Sequence, residues 1–199
     1  MSFVLGVTGG IASGKSTVVN VFRQCGFPIV DGDVIARKIV AKEQPAFARL
    51  EAVFGQKIVA ADGSLDRQKL GAIVFADAQK RKLLNQTLAP FLRSEILQAI
   101  EVAKKQAPLV VVDIPLLYEG HYEKEMDQVA VVYVSHKQQL ERLMERNQLT
   151  KSQAQQRIDS QWPLTKKKEL ADLVFDNQGT VEQTKQQVYS WLSTNHFCK

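Results

Sequence analysis

Gly9, four intervening residues, then Gly14, Lys15 and Ser16 meet every position of the GxxxxGK[ST] pattern. The chemistry of that spacing is the gripping of a phosphate chain. Glycines at 9, 10 and 14 let the main chain curl so that successive N–H groups point into one concavity. A helix opening at about Gly14 to Ser16 adds the positive end of its dipole. The stretch Gly10, Ile11, Ala12, Ser13, Gly14, Lys15, Ser16 and Thr17 is therefore the expected ATP-binding surface. Lys15 would reach the β- and γ-phosphates, Ser16 would ligate Mg²⁺, and Thr17 would take the α-phosphate.

Carboxylates follow at two strand ends. Asp31-Gly32-Asp33 closes the second apolar run, where an open parallel sheet collects its ligands. Asp33 is the expected acceptor of a proton from an attacking hydroxyl, with Asp31 either near metal-bound water or at a helix cap. The alternative is that both residues only cap the helix beginning at Val34. Arg37, one turn on, would orient Asp33 or an anionic substrate. Leu109-Val110-Val111-Val112-Asp113 has the Walker-B form that places a carboxylate near Mg²⁺. Beyond it, Ile114-Pro115-Leu116-Leu117-Tyr118-Glu119 makes a stiff apolar lip, in which Leu116 and Tyr118 are the expected contacts to an acceptor.

Arg142 and Arg146 lie one turn apart on a charged helix. They are either plain surface residues or neutralisers of transition-state charge, a role worth about 10³ to 10⁵ in rate. Asn177 ends the fifth apolar run and would either pair with the adenine edge or serve a turn. His121, His136 and His196 form no cluster and receive no role.

Elements must hold these groups in place. Runs apolar on both faces recur at 3–7, 27–30, 109–112, 129–134 and 173–175, with segments of helical period between them. This is an α/β pattern: a P-loop core with a parallel sheet flanked by helices. Spacing breaks once, where about eighty residues separate the second strand from the third. There 33–51 and 66–105 read as helical, with Leu83, Leu84, Leu88, Phe91, Leu92, Ile96 and Ile100 on one stripe and Pro90 expected to end one helix and start the next. The expected organisation is a single kinase domain: a core of about 1–35, 108–136 and 168–199, a helical substrate-binding insertion of about 36–107, and a helical lid of about 137–167. The Gln-rich stretch 150–161 reads as the mobile part of that lid. A last helix, 181–194, places Val181, Val188, Trp191 and Leu192 on its apolar side.

At 199 residues with 45% hydrophobic and 24% charged side chains, the chain has the composition of a soluble globular domain. No stretch approaches a membrane span, and the first residues lead straight into the phosphate loop, so a cytoplasmic protein without signal or membrane partner is expected. Cys25 and Cys198 have no metal-ligand spacing and imply no disulfide framework. The net charge of +5 is spread along the chain, which argues for small anionic substrates rather than nucleic acid. Lys166-Lys167-Lys168 is the single basic run and reads first as a solvated helix face, with a phosphate contact as the alternative. A monomer is the favoured state.

Together Thr8 to Thr17, Asp31-Gly32-Asp33 with Ala36-Arg37, Val74-Phe75-Ala76-Asp77, Asp113-Ile114-Pro115-Leu116-Leu117-Tyr118-Glu119, and Ala171-Asp172 through Asp176-Asn177 resemble the dephospho-CoA kinases, in that family's order and over nearly the whole chain. The resemblance implies ATP-dependent phosphorylation of the ribose 3′-hydroxyl of dephospho-CoA with Mg²⁺. It further implies Asp33 as base, Arg142 and Arg146 in the lid, Asn177 beside adenine, and the insertion as the CoA-binding part. Two positions depart from the family pattern: Ala89-Pro90 stands where His-Pro is expected, and Arg146-Asn147 where Arg-Asp is common. A nucleoside or nucleotide kinase shares the donor loop and differs only in acceptor. An ATP-driven switch is the reading from another class; no Asn-Lys-x-Asp for guanine is present.

Overall fold

The computed structural model describes residues 2–197 and, for Phe75, the main chain only; Cys198 lies outside the described residues. Five strands, β1 (Phe3–Gly9), β2 (Ile29–Asp31), β3 (Leu109–Asp113), β4 (Gln128–Tyr133) and β5 (Leu173–Asp176), form one parallel sheet in the order β2-β3-β1-β4-β5. Central β1 and β3 are apolar on both faces because helices cover both, and β3 is buried throughout. The helices are α1 (Lys15–Gln24), α2 (Gly32–Ile39), α3 (Pro45–Phe54), α4 (Arg67–Phe75), α5 (Ala78–Lys104), α6 (His136–Asn147), α7 (Lys151–Ile158), α8 (Leu164–Leu170) and α9 (Val181–Thr194). None is long and apolar enough to cross a membrane.

The chain divides into two compact units, Met1–Asp31 with Ile100–Lys199, and Gly32–Ala99. In the first, Leu5 and Val7 of β1, Val18 and Phe22 of α1, Val111 of β3, Val132 of β4 and Val188 and Leu192 of α9 form the core. Phe22, Phe175 and Trp191 add edge-on ring contacts, with centroids 6.0 and 6.3 Å from Phe22. A capping box between Thr180 and Gln183 starts α9. Val181 departs from the expected apolar side: as the first residue of the helix it is exposed.

In the second unit Ile39, Leu50, Phe54, Ile58, Leu70 and Val74 make a separate core, against which Leu84, Leu88, Phe91 and Leu92 of α5 pack. The expected helix 33–51 is broken between α2 and α3. Pro45 opens α3 and holds Gln44 extended, with ψ 144°. The expected helix 66–105 is likewise two. Asp66 accepts the Lys69 amide at 2.9 Å to start α4, and Asp77 accepts the Gln79 amide at 2.8 Å to start α5. Pro90, by contrast, does not divide a helix: α5 runs through it. The ring sits on the exposed face, where water can satisfy the carbonyl one turn earlier that loses its partner. Leu83, expected on the apolar stripe, is also exposed.

Candidate active site

The phosphate loop runs from the end of β1 into α1. Gly14 caps α1 with φ 84° and ψ 22°, a left-handed conformation. A Cβ there would also collide with Nδ2 of Asn177, so both backbone and space demand glycine. Ala12 holds φ 60° without that excuse, strain at the turn that aims the loop. The Lys15 and Ser16 amides at the start of α1 have no helical acceptors, the arrangement that holds anions. Ser16 is exposed on that turn and open to a ligand, and Thr17 follows it, its amide bonded to the Gly14 carbonyl at 2.9 Å.

Two glutamines that the sequence reading missed clamp the loop tip. Gln139 Nε2 donates to the Ile11 carbonyl at 2.8 Å, and the Ile11 amide donates to Gln161 Oε1 at 2.8 Å. Ile11, expected among the phosphate-binding residues, thus spends its amide on the protein. Ser13 is similarly occupied through its amide, which donates to the Gly10 carbonyl at 3.0 Å. Their part is to shape the turn that presents the following amides. Ile11 and Ala12 also pack against the buried Leu143, Ala154 and Ile158 of α6 and α7. The Gln-rich stretch is therefore seated on the loop. A capping box between Thr150 and Gln153 starts α7.

Lys15 does not wait in solvent: its ammonium pairs with the Asp113 carboxylate at the end of β3. Strand register sets that meeting, since Asp113 stands opposite both Val7 and Asp31. Side-chain oxygens of Ser16 and Asp113 are hard donors of the type Mg²⁺ takes. Among the described residues no group of three or more His, Cys, Asp or Glu could hold a metal by itself. The donor set fits an ion that arrives with its phosphates. Asp33 and Arg37 are both exposed, in the first and second turns of α2.

Arg142 reaches the loop and Arg146 does not. Arg142 Nη2 donates to the Asn177 carbonyl at 2.9 Å, and Nη1 lies near the Cβ position of Gly14. Arg146 is exposed, and its Nε donates to Asn147 Oδ1 at 2.9 Å, so the asparagine that departs from the family pattern still serves as its acceptor. Asn177 Nδ2 donates to the Ser13 carbonyl at 2.8 Å and its Oδ1 accepts from Thr184 at 2.7 Å, with the side chain buried. The amide braces the loop, which is the local role the sequence left open beside adenine pairing.

The lip after Asp113 also differs from expectation. Leu116 is exposed, as an acceptor contact requires, but Tyr118 is 5% exposed and its hydroxyl is buried with no hydrogen-bond partner among the described residues. Burial first, then Asp172 and Glu123, push that hydroxyl up to about 12. Tyr118 is a core residue because the chain turns back at Gly120 and carries the ring inward. The basic run is corrected too. Lys166 lies over the Trp162 ring and Lys168 over Tyr133, at 3.6 and 4.3 Å, yet Lys167 between them is fully buried. Its ammonium meets Glu119 Oε1 at 2.8 Å and the Pro115 carbonyl at 3.0 Å. Desolvation pulls its pKa below the ordinary lysine value against the opposing pull of Glu119.

A five-stranded parallel sheet with a glycine-capped helix start, a loop lysine and a strand-end aspartate defines the P-loop nucleotide-binding class. Comparison with known proteins narrows it. The family model described as Dephospho-CoA kinase matches residues 3–183. The Dephospho-CoA kinase of Enterococcus faecalis is 67% identical over 192 residues, spanning 96% of each chain. Among solved structures, TT1252 from Thermus thermophilus superposes with a TM-score of 0.80 at 30% identity, covering 97% of each chain. Dephospho-CoA kinase from Campylobacter jejuni superposes with a TM-score of 0.75 at 29% identity, covering 98% of each. The chain belongs to the dephospho-CoA kinase family.

Proposed function

We propose that the protein transfers the γ-phosphate of ATP to the ribose 3′-hydroxyl of dephospho-CoA by direct in-line displacement, the last step of coenzyme A synthesis. The observation that carries the donor half is the loop itself: a left-handed glycine cap, amides open at the start of α1, and Lys15 within reach of Asp113. Family membership carries the acceptor.

In this reading Lys15 exchanges Asp113 for the β- and γ-phosphates when ATP enters. Asp113 is thereby freed of that counter-charge beside the phosphate chain. Mg²⁺, held by Ser16 with Asp113 nearby, would neutralise charge on the phosphate chain. Asp33 takes the proton of the 3′-hydroxyl, and Arg37 holds it or the anionic substrate. Leu116 offers apolar contact to the acceptor, and unit Gly32–Ala99 supplies the CoA-binding surface. Arg142, already tied beside Gly14, neutralises charge on the group in transfer, and Arg146 joins it on lid closure. Catalysis is then mostly positioning and charge compensation.

The test is ADP release with dephospho-CoA against nucleoside monophosphates at equal concentration, with product mass showing one added phosphate. Preference for a monophosphate overturns the assignment.

A further inference from the structure

We propose that Lys167 is a positioning residue for phosphoryl transfer: its ammonium fixes the exit of β1 into the phosphate loop against the segment that follows Asp113, and Glu119 ties both to the α7–α8 connection. The inference rests on the reading of the chain as an ATP-dependent kinase and adds a residue to it.

Two strands leave the sheet side by side, each with an outgoing carbonyl within reach of Lys167. One is Gly9, where β1 becomes the loop; the other is Pro115, two residues beyond Asp113. Lys167 Nζ, reaching in from α8, lies 3.4 Å from the Gly9 carbonyl and 3.0 Å from that of Pro115. Thr8 Oγ1 donates to the same Pro115 carbonyl at 3.0 Å, so the two exits are stitched twice. Glu119 Oε1 accepts from Lys167 at 2.8 Å and from the Trp162 amide at 2.9 Å. The neighbouring Gln161 is the acceptor for the Ile11 amide. The α7–α8 connection therefore grips the loop at its root through Lys167 and at its tip through Gln161.

Energetics favour a positioning role over a stabilising one. Lys167 is fully buried, and burying an ammonium with its carboxylate costs desolvation that the pair's attraction barely offsets; well-packed apolar replacements of such pairs are often neutral or stabilising. What an apolar residue cannot do is donate to two carbonyls at once. Lysine offers three donors from one point, matching Gly9, Pro115 and Glu119. The distance between Lys15 and Asp113, the two groups that ATP must separate, depends on the two exits being held in this register.

The experiment compares wild type, Lys167→Met, Glu119→Gln and the double variant Lys167→Met/Glu119→Gln. Three quantities are read: thermal midpoint, ADP dissociation constant by titration calorimetry, and the separate KM values for ATP and dephospho-CoA. Lys167→Met leaves the partly buried Glu119 carboxylate without its counter-charge and lowers the midpoint. The double variant removes both charges while keeping an acceptor for Trp162, so its midpoint returns toward wild type. On the proposal its ADP dissociation constant and its KM for ATP nonetheless stay about tenfold raised, with the KM for dephospho-CoA within about twofold of wild type. Glu119→Gln alone, which keeps both carbonyl contacts of Lys167, stays within about threefold in ADP affinity. A double variant that binds ADP as wild type does, or one that fails to fold, overturns the proposal, because either result makes the pair purely structural. ADP affinity needs no acceptor, so a wild-type enzyme inactive on dephospho-CoA would sink the proposed function and leave this test intact.

Discussion

The ammonium of Lys15, first residue of α1, is paired with the carboxylate of Asp113, last residue of β3. Each is the other's counter-charge until a nucleotide competes for the lysine. Both side chains are mostly buried, at 16% and 11% exposure, so neither charge is strongly screened by water. Lys15→Ala should cut turnover on the order of 10³-fold, the scale of losing one well-placed donor to developing charge. Asp113→Asn should raise the Mg²⁺ concentration needed for half-maximal rate while leaving ADP affinity without metal unchanged or tighter, since Lys15 is then unpaired. Mg²⁺ titrations of the two enzymes check this.

Asp33 is exposed in the first turn of α2. If it takes the acceptor's proton, Asp33→Asn lowers kcat by roughly 10² to 10⁴ and leaves ATP affinity within a fewfold. Steady-state kinetics with a direct ATP-binding measurement separate the two; unchanged turnover would remove Asp33 from the role.

Arg142 and Arg146 share a helix face but not an environment. Arg142→Ala should cost about 10³ or more in kcat, because its guanidinium is already held at the Asn177 carbonyl beside Gly14. Arg146→Ala, starting from an exposed side chain bonded to Asn147, should cost less than about tenfold. Equal losses would mean that lid closure brings Arg146 in as far as Arg142.

Tyr118 gives a pH signature. Its pKa is raised from 10.0 to about 12 in the folded protein, so the native state keeps a proton that the unfolded chain gives up. Stability from this group is fully present below about pH 10 and is lost as pH rises toward 12. Tyr118→Phe removes the titration together with an unpartnered buried hydroxyl. Its thermal midpoint at pH 7 should equal or exceed wild type, and its decline above pH 10 should be shallower. The KM for dephospho-CoA should not move; a rise would put the ring back at the acceptor.

Asn177 joins Ser13 to Thr184. Asn177→Leu should cost about 1 to 3 kcal/mol of stability, as two buried partners lose their bonds, and weaken ADP binding by loosening the loop. Denaturant melts and ADP titration measure the two effects together.

Residue type and spacing along the chain decided a good deal without help. Gly9 to Thr17 specified the phosphate loop, because donor geometry there is a main-chain property of a short segment. Five runs apolar on both faces specified a parallel sheet, and the last helix was legible to its ends, since caps and periodicity are local. Tertiary structure alone decided how long-range partners were shared out. Nothing local told Arg142 from Arg146, or marked Gln139 and Gln161 as the loop's clamp, because their partner Ile11 lies 128 and 150 residues away. Lys167 read as one of three solvated lysines, and only the fold brought the carbonyls of Gly9 and Pro115 to a point where a buried ammonium satisfies both. Pro90 and Tyr118 were misread for the same reason: whether water reaches a freed carbonyl or a phenol depends on which side of a packed element it faces.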